Sequence, residues 1–208
     1  MSKGERTREK ILSKAISLAS VCGLQDLSIG KLASETRLSK SGLFAHFNSK
    51  ENLQTQIIQR VRDLFVEKVL MPAISQPRGV PRIRAIFGNW KRWIDGGSIP
   101  GGCLALASAL EFDDRPGAVR AEVVGMMRSL LEMIERAADI AVEEGHFRPD
   151  ADTRQFAFEF NAIICGYHLG NRLLKDPEAD GRSEEALGRL LASFGPPGAT
   201  TEQRTTRS

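Results

Sequence analysis

The sequence predicts an all-α protein of about nine helices, with a group of three helices at its start and a larger helical region after them. Three observations predict this class. Apolar residues recur every three or four positions along nearly the whole chain, Gly and Pro separate the periodic segments, and no segment shows the alternation of a β-strand. The 208 residues are enough to bury a sizeable core.

The first three predicted helices form one compact group. The first spans residues 5–22 and ends at Gly23. Ser28 caps the second and Ser39 the third, because a serine oxygen accepts hydrogen bonds from the free amides of a first helical turn. The faces predicted to be buried are Ile11, Leu12, Ala15, Ile16 and Ala19 in the first helix, Ile29, Leu32 and Ala33 in the second, and Leu43, Phe44 and Phe47 in the third.

A fourth, longer helix is predicted to begin after Ser49 and to run to the Met71–Pro72 boundary. Five further helices follow the same periodicity, over residues 83–94, 103–112, 116–145, 152–175 and 183–195. We therefore divide the chain into four parts: residues 1–50, a three-helix helix-turn-helix domain; 51–72, a connecting helix; 73–195, a larger helical domain; and 196–208, a disordered tail rich in Gly, Pro, Thr and Arg.

Composition excludes several classes of protein. No apolar run is long enough for a membrane span, and the basic start is not followed by the apolar region of a secretory signal, so we expect a cytoplasmic protein. The cysteines and histidines are scattered along the chain, so we predict no disulfide, no metal site and no cofactor. These residues are Cys22, Cys103, Cys165, His46, His146 and His168. No catalytic motif is present, which predicts that the chain is not an enzyme.

Positive charge is concentrated at the start of the chain. Residues 1–60 hold ten Lys and Arg against five Asp and Glu, a net charge of +5, whereas the whole chain carries +3. A basic end on a nearly neutral body favours a polyanion as the partner of that end.

The segment SKSGLFAHFNSKENL, residues 39–53, indicates which polyanion. Two short helices joined by a tight turn place the second helix in the major groove of DNA. Ser39, Ser41 and Gly42 are small where the backbone must approach the bases, and Lys40 reinforces the phosphate-attracting amides of the helix N-terminus. Lys50 is unfavourable at the start of its own helix unless a phosphate lies opposite it.

The region from Ile11 to Leu53 resembles the DNA-binding domain of the tetracycline-repressor (TetR) family of bacterial transcription regulators. The matching motifs are R-x-x-I-L-x-x-A from Arg8, L-S-I-G-K-L-A from Leu27, and L-S-K-S-G-L-F-A-H-F-N-S-K-E-N-L from Leu38. Together the resemblance and the residues imply double-stranded DNA as partner and this set of contacting residues: Ser28, Lys31, Ser39, Lys40, Ser41, Gly42, Phe44, His46 and Lys50.

Two positions depart from the family pattern. The turn between the second and third helices usually carries Gly, but here it reads Thr36-Arg37-Leu38, so a left-handed backbone at Arg37 would be strained. The aromatic residue is usually Tyr, whose hydroxyl can reach a phosphate, and Phe44 has no hydroxyl.

The resemblance also implies that the larger domain binds a small-molecule effector and forms a homodimer. Met and aromatic side chains line adaptable apolar cavities, which favours an apolar or aromatic effector. The candidates for the pocket are Phe87, Trp90, Trp93, Cys103, Met126, Met127, Met133, Cys165, Tyr167 and His168.

Small residues suggest where two copies of the chain meet. Ala162, Gly166 and Gly170 recur every four residues and form a smooth strip that lets another helix approach, although the alternative is that the strip faces the chain's own core. Leu187 and Leu191 add an apolar face on the last helix. A four-helix interface across a two-fold axis is the predicted arrangement.

Three alternative functions remain open. A redox-sensing regulator would use Cys103 as its reactive thiol, a helical enzyme would lose turnover on substitution of a Cys or His, and a helical adaptor would bind only protein. Selective binding of one palindromic duplex would exclude the adaptor.

Overall fold

The computed structural model describes residues 2–96 and 99–197, with the exception of the Lys3 side chain. Every regular element in these residues is helical, and they contain no β-strand. The predicted all-α class is therefore confirmed. Of the predicted tail, residues 198–208 lie outside the described part of the chain.

Four helices open the chain: α1 (Lys3–Cys22), α2 (Ile29–Thr36), α3 (Lys40–Phe47) and α4 (Lys50–Phe65). Helix α4 continues without a break through a π-helical segment, Val66–Leu70, into α5 (Met71–Ile74). The remaining helices are α6 (Val80–Ile94), α7 (Leu104–Glu111), α8 (Ala118–Glu143), α9 (Thr153–His168), which a second π-helical segment (Leu169–Leu174) extends, and α10 (Ala179–Phe194). When each uninterrupted helical run is counted as one helix, the described residues contain nine helices, as the sequence predicts.

The last helix begins earlier than Ser183, where the sequence placed its start. It begins at Ala179, because the Asp176 carboxylate accepts a 2.9 Å hydrogen bond from the Glu178 amide and shapes the preceding turn. Ser183 is buried inside the helix, where its hydroxyl donates to the carbonyl oxygen of Asp180 at 2.7 Å.

The helices group into two compact units. The first comprises the described residues up to Lys68 and from Trp93 to Arg128, and the second comprises those from Val69 to Arg92 and from Ser129 onward.

In the first unit, the predicted inner faces of α1, α2 and α3 are buried, with two exceptions. Ile29 is half-buried, and Phe44 is 40% exposed. The exposure of Phe44 corrects the prediction that it joins the core. Leu43 and Phe47, four residues apart, share the inner face of α3, whereas Phe44 lies about 100° away around the helix.

The second unit is built around stacked aromatic rings. Phe160 packs edge-on against Phe87 at 5.5 Å between ring centroids, and Phe156 packs against Phe194 at 5.2 Å. Phe147 lies 5.0 Å from Phe156 on the same measure. These rings join α6, α9 and α10 into one core.

Among residues 2–96 and 99–197, no helix combines the length and the apolar character that a membrane span requires.

Candidate nucleic-acid interface

Serine side chains fix the starts of α2, α3 and α4. Ser28 accepts a 3.3 Å hydrogen bond from the Lys31 amide, and Ser39 accepts one of 3.0 Å from the Gly42 amide. Ser49 accepts from the Asn52 amide at 3.0 Å. All three caps were predicted, because capping depends on residues only three positions apart.

Helix α3 has one buried and one exposed face. Leu43 and Phe47 are each 2% exposed, while Lys40, Ser41 and Phe44 lie on the solvent side. Ala45 is exposed as well and extends this face by one turn from Ser41. Sequence reasoning missed Ala45, since it has no polar group, although its position four residues after Ser41 was a usable signal.

Gly42 has a structural role in addition to any role in close approach to DNA. A β-carbon at Gly42 would lie 3.3 Å from Oγ of Ser39 and would press on the capping hydroxyl. Oγ of Ser39 also lies 2.9 Å from Oγ of Ser41, so the two hydroxyls share a hydrogen bond. The weak helix former at position 42 therefore protects the cap that starts the helix.

The Lys40 side chain reaches the first turn of α2. Its Cε lies 3.5 Å and its Nζ 3.9 Å from the position that a β-carbon of Gly30 would occupy, and Oγ of Ser28 lies 3.7 Å from the same point. A cation beside the positive end of a helix is unfavourable unless an anion also binds there. Lys40 and the α2 N-terminus thus form a pair of anion-attracting groups.

The basic residues of the first three helices divide into paired and unpaired ones. Lys14 forms a 2.7 Å ion pair with Glu35, and this hydrogen bond and charge hold the pKa of the Glu35 carboxyl below its usual value. Within the part of the chain that the structure describes, Lys31 and Lys40 are exposed and form no ion pair. These two cations are therefore available to a polyanion.

Lys50 and His46, like Gly42, are half-buried, whereas the other predicted contact residues are exposed. Nζ of Lys50 donates a 2.6 Å hydrogen bond to the carbonyl oxygen of Gln25, so the residue ties the start of α4 to the turn between α1 and α2. The amine retains further N–H groups for a phosphate. His46 is half-buried, with its ring centroid 6.2 Å from that of Phe47.

The predicted pocket residues occupy different environments. In the second unit, Phe87 and Trp90 are fully buried, while His168 is half-buried and Cys165 is exposed. Burial and the nearby Arg172 lower the pKa of His168. The other candidates lie as follows: Trp93, Cys103 and Met126 buried and Met127 half-buried in the first unit, and Tyr167 buried and Met133 half-buried in the second.

One cavity in the second unit has the character expected of an apolar pocket. It has a volume of about 210 Å³ and includes Met133, one of the predicted residues. Its other lining residues are Leu70, Ala73, Ile74, Gly79, Arg82, Ile86, Arg136, Ala137 and Ile140. Sequence reasoning missed most of them, because α5, α6 and α8 come together only in the fold.

The residues predicted for the dimer interface divide into exposed and buried sets. Ala162 and Gly166 are exposed and Gly170 is half-exposed, whereas Leu187 and Leu191 are 0% and 6% exposed. The two leucines therefore pack inside the chain's own core, where α10 lies against α9.

The exposed side of α9 and its π-helical extension is strongly apolar. Phe158, Leu169 and Leu173 are 67%, 51% and 72% exposed. With Ala162 and Cys165 they recur every three or four residues and form a single stripe. We call these five residues the α9 stripe. Such a continuous apolar surface is a signature of an interaction site.

The thiols of Cys103 and Cys165 give no support to redox sensing. The Cys103 side chain is fully buried. Cys165 is exposed, but desolvation of its sulfur raises its pKa, which reduces the reactive thiolate. Among the described residues, no group of His, Cys, Asp and Glu could hold a metal ion.

Two family models match the chain. Residues 11–57 match the model described as "Bacterial regulatory proteins, tetR family", and residues 79–187 match "Tetracyclin repressor-like, C-terminal domain". Sequence comparison with curated proteins gives no significant match.

Several solved structures share the fold. A TetR transcriptional regulator from Chloroflexus aurantiacus J-10-FL is 25% identical with a TM-score of 0.81, and the alignment covers 92% of this chain and 96% of that one. A TetR-family regulator from Cytophaga hutchinsonii is also 25% identical with a TM-score of 0.81, covering 94% and 98%. AibR, solved with isovaleryl coenzyme A and operator DNA, is 25% identical with a TM-score of 0.66, covering 92% and 99%.

The match of both family models, together with the capped three-helix arrangement, assigns the chain. It belongs to the tetracycline-repressor (TetR) family and is a DNA-binding transcription regulator, not an enzyme.

Proposed function

We propose that the chain is a ligand-responsive repressor that binds a palindromic operator as a homodimer and leaves it when a small apolar or aromatic effector binds. The observation that carries this proposal is the two-faced α3, whose inner face is core and whose outer face presents Lys40, Ser41 and Phe44. In this proposal residues 1–50 bind DNA, residues 51–72 connect, and residues 73–195 bind the effector and dimerise.

The outer face of α3 enters the major groove. Ser41, Gly42 and Ala45 are small enough for the backbone to approach the base edges, so changes there alter which sequence is preferred. Phe44 supplies an apolar surface for a thymine methyl group.

Phosphates occupy the flanks of this helix. The α2 N-terminus at Ser28, with Lys31 and Lys40 beside it, takes one phosphate, and Ser39 and the first amides of α3 take another. Lys50 contacts a further phosphate through the N–H groups that Gln25 leaves free, and His46 donates to the DNA backbone.

The α9 stripe supports the homodimer. One short reading helix contacts few base pairs, so affinity requires two half-sites held at a fixed spacing. Pairing two copies of the stripe removes Phe158, Leu169 and Leu173 from water, and the neighbouring Ala162 and Gly166 let the helices approach closely. The small residues on α9 thus contribute to the proposed dimer by leaving space for the helix of the second copy.

The 210 Å³ cavity supports the effector site. Its walls are mainly aliphatic, and its volume lies below the several hundred Å³ that drug-sized ligands occupy, so the effector is small. AibR was solved with an acyl coenzyme A, a ligand whose acyl end is a short apolar group. By analogy, a short aliphatic or aromatic group is what this cavity accommodates.

The effector acts through differential affinity for two states of the protein. Leu70 lines the cavity and ends the π-helical segment that extends α4. Towards the N-terminus, only the short turn before Lys50 separates α4 from α3. This continuous helix is the proposed lever between effector and reading helix.

Salt dependence tests the proposal directly. If each subunit neutralises roughly four phosphates, the logarithm of the association constant falls against the logarithm of salt concentration with a slope of about −7 for the dimer. We would measure binding to a labelled duplex by fluorescence anisotropy from low to physiological salt, and sedimentation of the free protein in parallel. A slope near zero, or a monomer at micromolar concentration, contradicts the proposal.

A further inference from the structure

The turn between α1 and α2 is held by side chains from other helices. The amides of Leu24 and Gln25 donate to the two carboxylate oxygens of Glu111, at 2.9 and 2.7 Å. The carbonyl oxygen of Leu24 accepts from Nε2 of Gln54 at 2.8 Å, and that of Gln25 accepts from Nζ of Lys50. All four backbone polar groups of these two residues are thus bound by α7 and α4.

Gly23 makes room for the Glu111 carboxylate. Its φ of +88° is a conformation that favours glycine, and a β-carbon there would lie 2.9 Å from Oε1 of Glu111. A side chain at position 23 would both strain the backbone and displace the carboxylate. The hydrogen bonds of Glu111, the last residue of α7, therefore depend on the absence of a side chain at Gly23, which follows α1.

A second contact joins the segment before α7 to the end of α1. The Gly101 amide donates a 3.0 Å hydrogen bond to Oγ of Ser20. A β-carbon at Gly101 would lie 1.7 Å from the Ser20 carbonyl oxygen, so the two backbones are in direct contact. Helix α7 and the residues leading into it thus contact both the end of α1 and the turn that follows it, within the first unit.

The turn lies close to the DNA-facing groups. Only three residues separate Gln25 from Ile29, where α2 begins, and Ser28 caps that helix. The turn is therefore connected to the α2 N-terminus along the chain, and to α3 through the packing of α2 on α3.

We propose that Glu111 is a positioning residue for DNA binding: its carboxylate holds the α1–α2 turn, so that α7, together with α4, sets the placement of the reading helix α3. This inference rests on the proposed operator binding. The DNA-binding helices would then be held by a side-chain contact from α7, in addition to their covalent link to α4.

Three variants test the inference, with the consensus duplex selected from a random pool as the probe. Glu111→Ala removes both acceptors, Glu111→Gln keeps one carbonyl acceptor and the volume, and Glu122→Ala is the matched control. Glu122 accepts from Nε2 of Gln59 at 2.9 Å in the same unit and does not touch the turn. Affinity, thermal unfolding and amide exchange of Leu24 and Gln25 are measured for each.

We expect Glu111→Ala to lower operator affinity at least tenfold and to speed exchange of both amides, with Glu111→Gln between it and the unaltered chain. Glu122→Ala should bind normally. Gly23→Ala should weaken binding too, but combined with Glu111→Ala it should add less than it costs alone, because both changes break the same contact and only the backbone strain at position 23 remains to be added. If Glu111→Ala does not fold, the loss of operator affinity in Glu111→Gln relative to the unaltered chain tests the inference.

Equal operator affinity in folded Glu111→Gln, Glu111→Ala and Glu122→Ala overturns the inference. A loss of affinity that tracks only the fall in melting temperature overturns it as well, because a merely structural role predicts that. Failure of the unaltered chain to bind any selected duplex would instead overturn the proposed function, so the two failures are distinguishable.

Discussion

The Lys40 side chain crosses Gly30, with its Cε 3.5 Å from the place that a β-carbon at Gly30 would take. This contact brings an unpaired cation to the positive end of α2, and a bound anion would stabilise the arrangement. The juxtaposition joins the second and third helices at the proposed phosphate site. It is the geometric basis of the first prediction.

Lys40→Gln should weaken binding to all duplexes by a similar factor. Because one phosphate contact is lost per subunit, the salt slope of the dimer should become shallower by about 1.8. Lys68→Gln is the control, since Lys68 is already paired with Glu67 at 2.8 Å and lies outside α1–α3. An unchanged slope in Lys40→Gln, measured by anisotropy over the same salt range, would remove Lys40 from the phosphate site.

Arg37→Gly should stabilise the protein. Arg37 has φ +56° at the end of α2, and a left-handed backbone costs a non-glycine residue about 1 kcal/mol. We expect the midpoint of thermal unfolding to rise by roughly 2–4 °C at fixed protein concentration. Arg37→Ala removes the same side chain but retains the strain, so a comparable rise in that variant would show that the backbone is not the cause.

His168 should make the protein less stable in mild acid. Burial, and then Arg172, lower the pKa of His168 below its ordinary value near 6.5, so the folded state favours the neutral ring. Its stabilising contribution is full above about pH 6.5 and is lost as pH falls through the folded-state pKa. Denaturant unfolding between pH 7.5 and 5.5 should show a smaller loss in His168→Gln. Identical pH profiles for the two proteins would contradict this account.

Leu173→Asp should convert the proposed homodimer to a monomer. Leu173 is 72% exposed in the α9 stripe, and a carboxylate there would be buried without a partner in the paired state. The matched control is Leu110→Asp on α7, where the leucine is 81% exposed and lies outside the stripe. Sedimentation velocity distinguishes the two, and a dimeric Leu173→Asp protein would move the interface elsewhere.

Filling the cavity should block the response to effector while DNA binding persists. Ala137 lines the cavity and is nearly buried, so Ala137→Leu adds three carbon atoms to the space proposed for the ligand. Compounds that raise the melting temperature of the unaltered chain should no longer do so, and its operator affinity should be unchanged. A retained shift would place the effector outside this cavity.

Local signals in the sequence predicted the helices of the DNA-binding region well. Ser28, Ser39 and Ser49 cap helices as expected, because a cap joins residues three apart. Phe44 was wrongly assigned to the core, since an eight-residue helix contains too few turns for its apolar period to fix a face. Its exposure nevertheless agrees with its place among the predicted DNA contacts.

Long-range contacts were beyond sequence reasoning. Glu111 meets the amide of Gln25 across 86 residues of chain, and no spacing rule relates two such positions. Leu187 and Leu191 show the same limit, because an apolar period does not distinguish a helix face turned to the chain's own core from one turned to a second copy. The two π-helical segments, Val66–Leu70 and Leu169–Leu174, had no signal in the sequence.

Selection of bound duplexes from a random-sequence pool tests the central claim most directly. The account predicts enrichment of one palindrome whose half-sites lie a helical turn or more apart, and a shift in the preferred bases when Ser41 or Gly42 is changed. Recovery of unenriched sequences at low salt, or of a single half-site without symmetry, would contradict it.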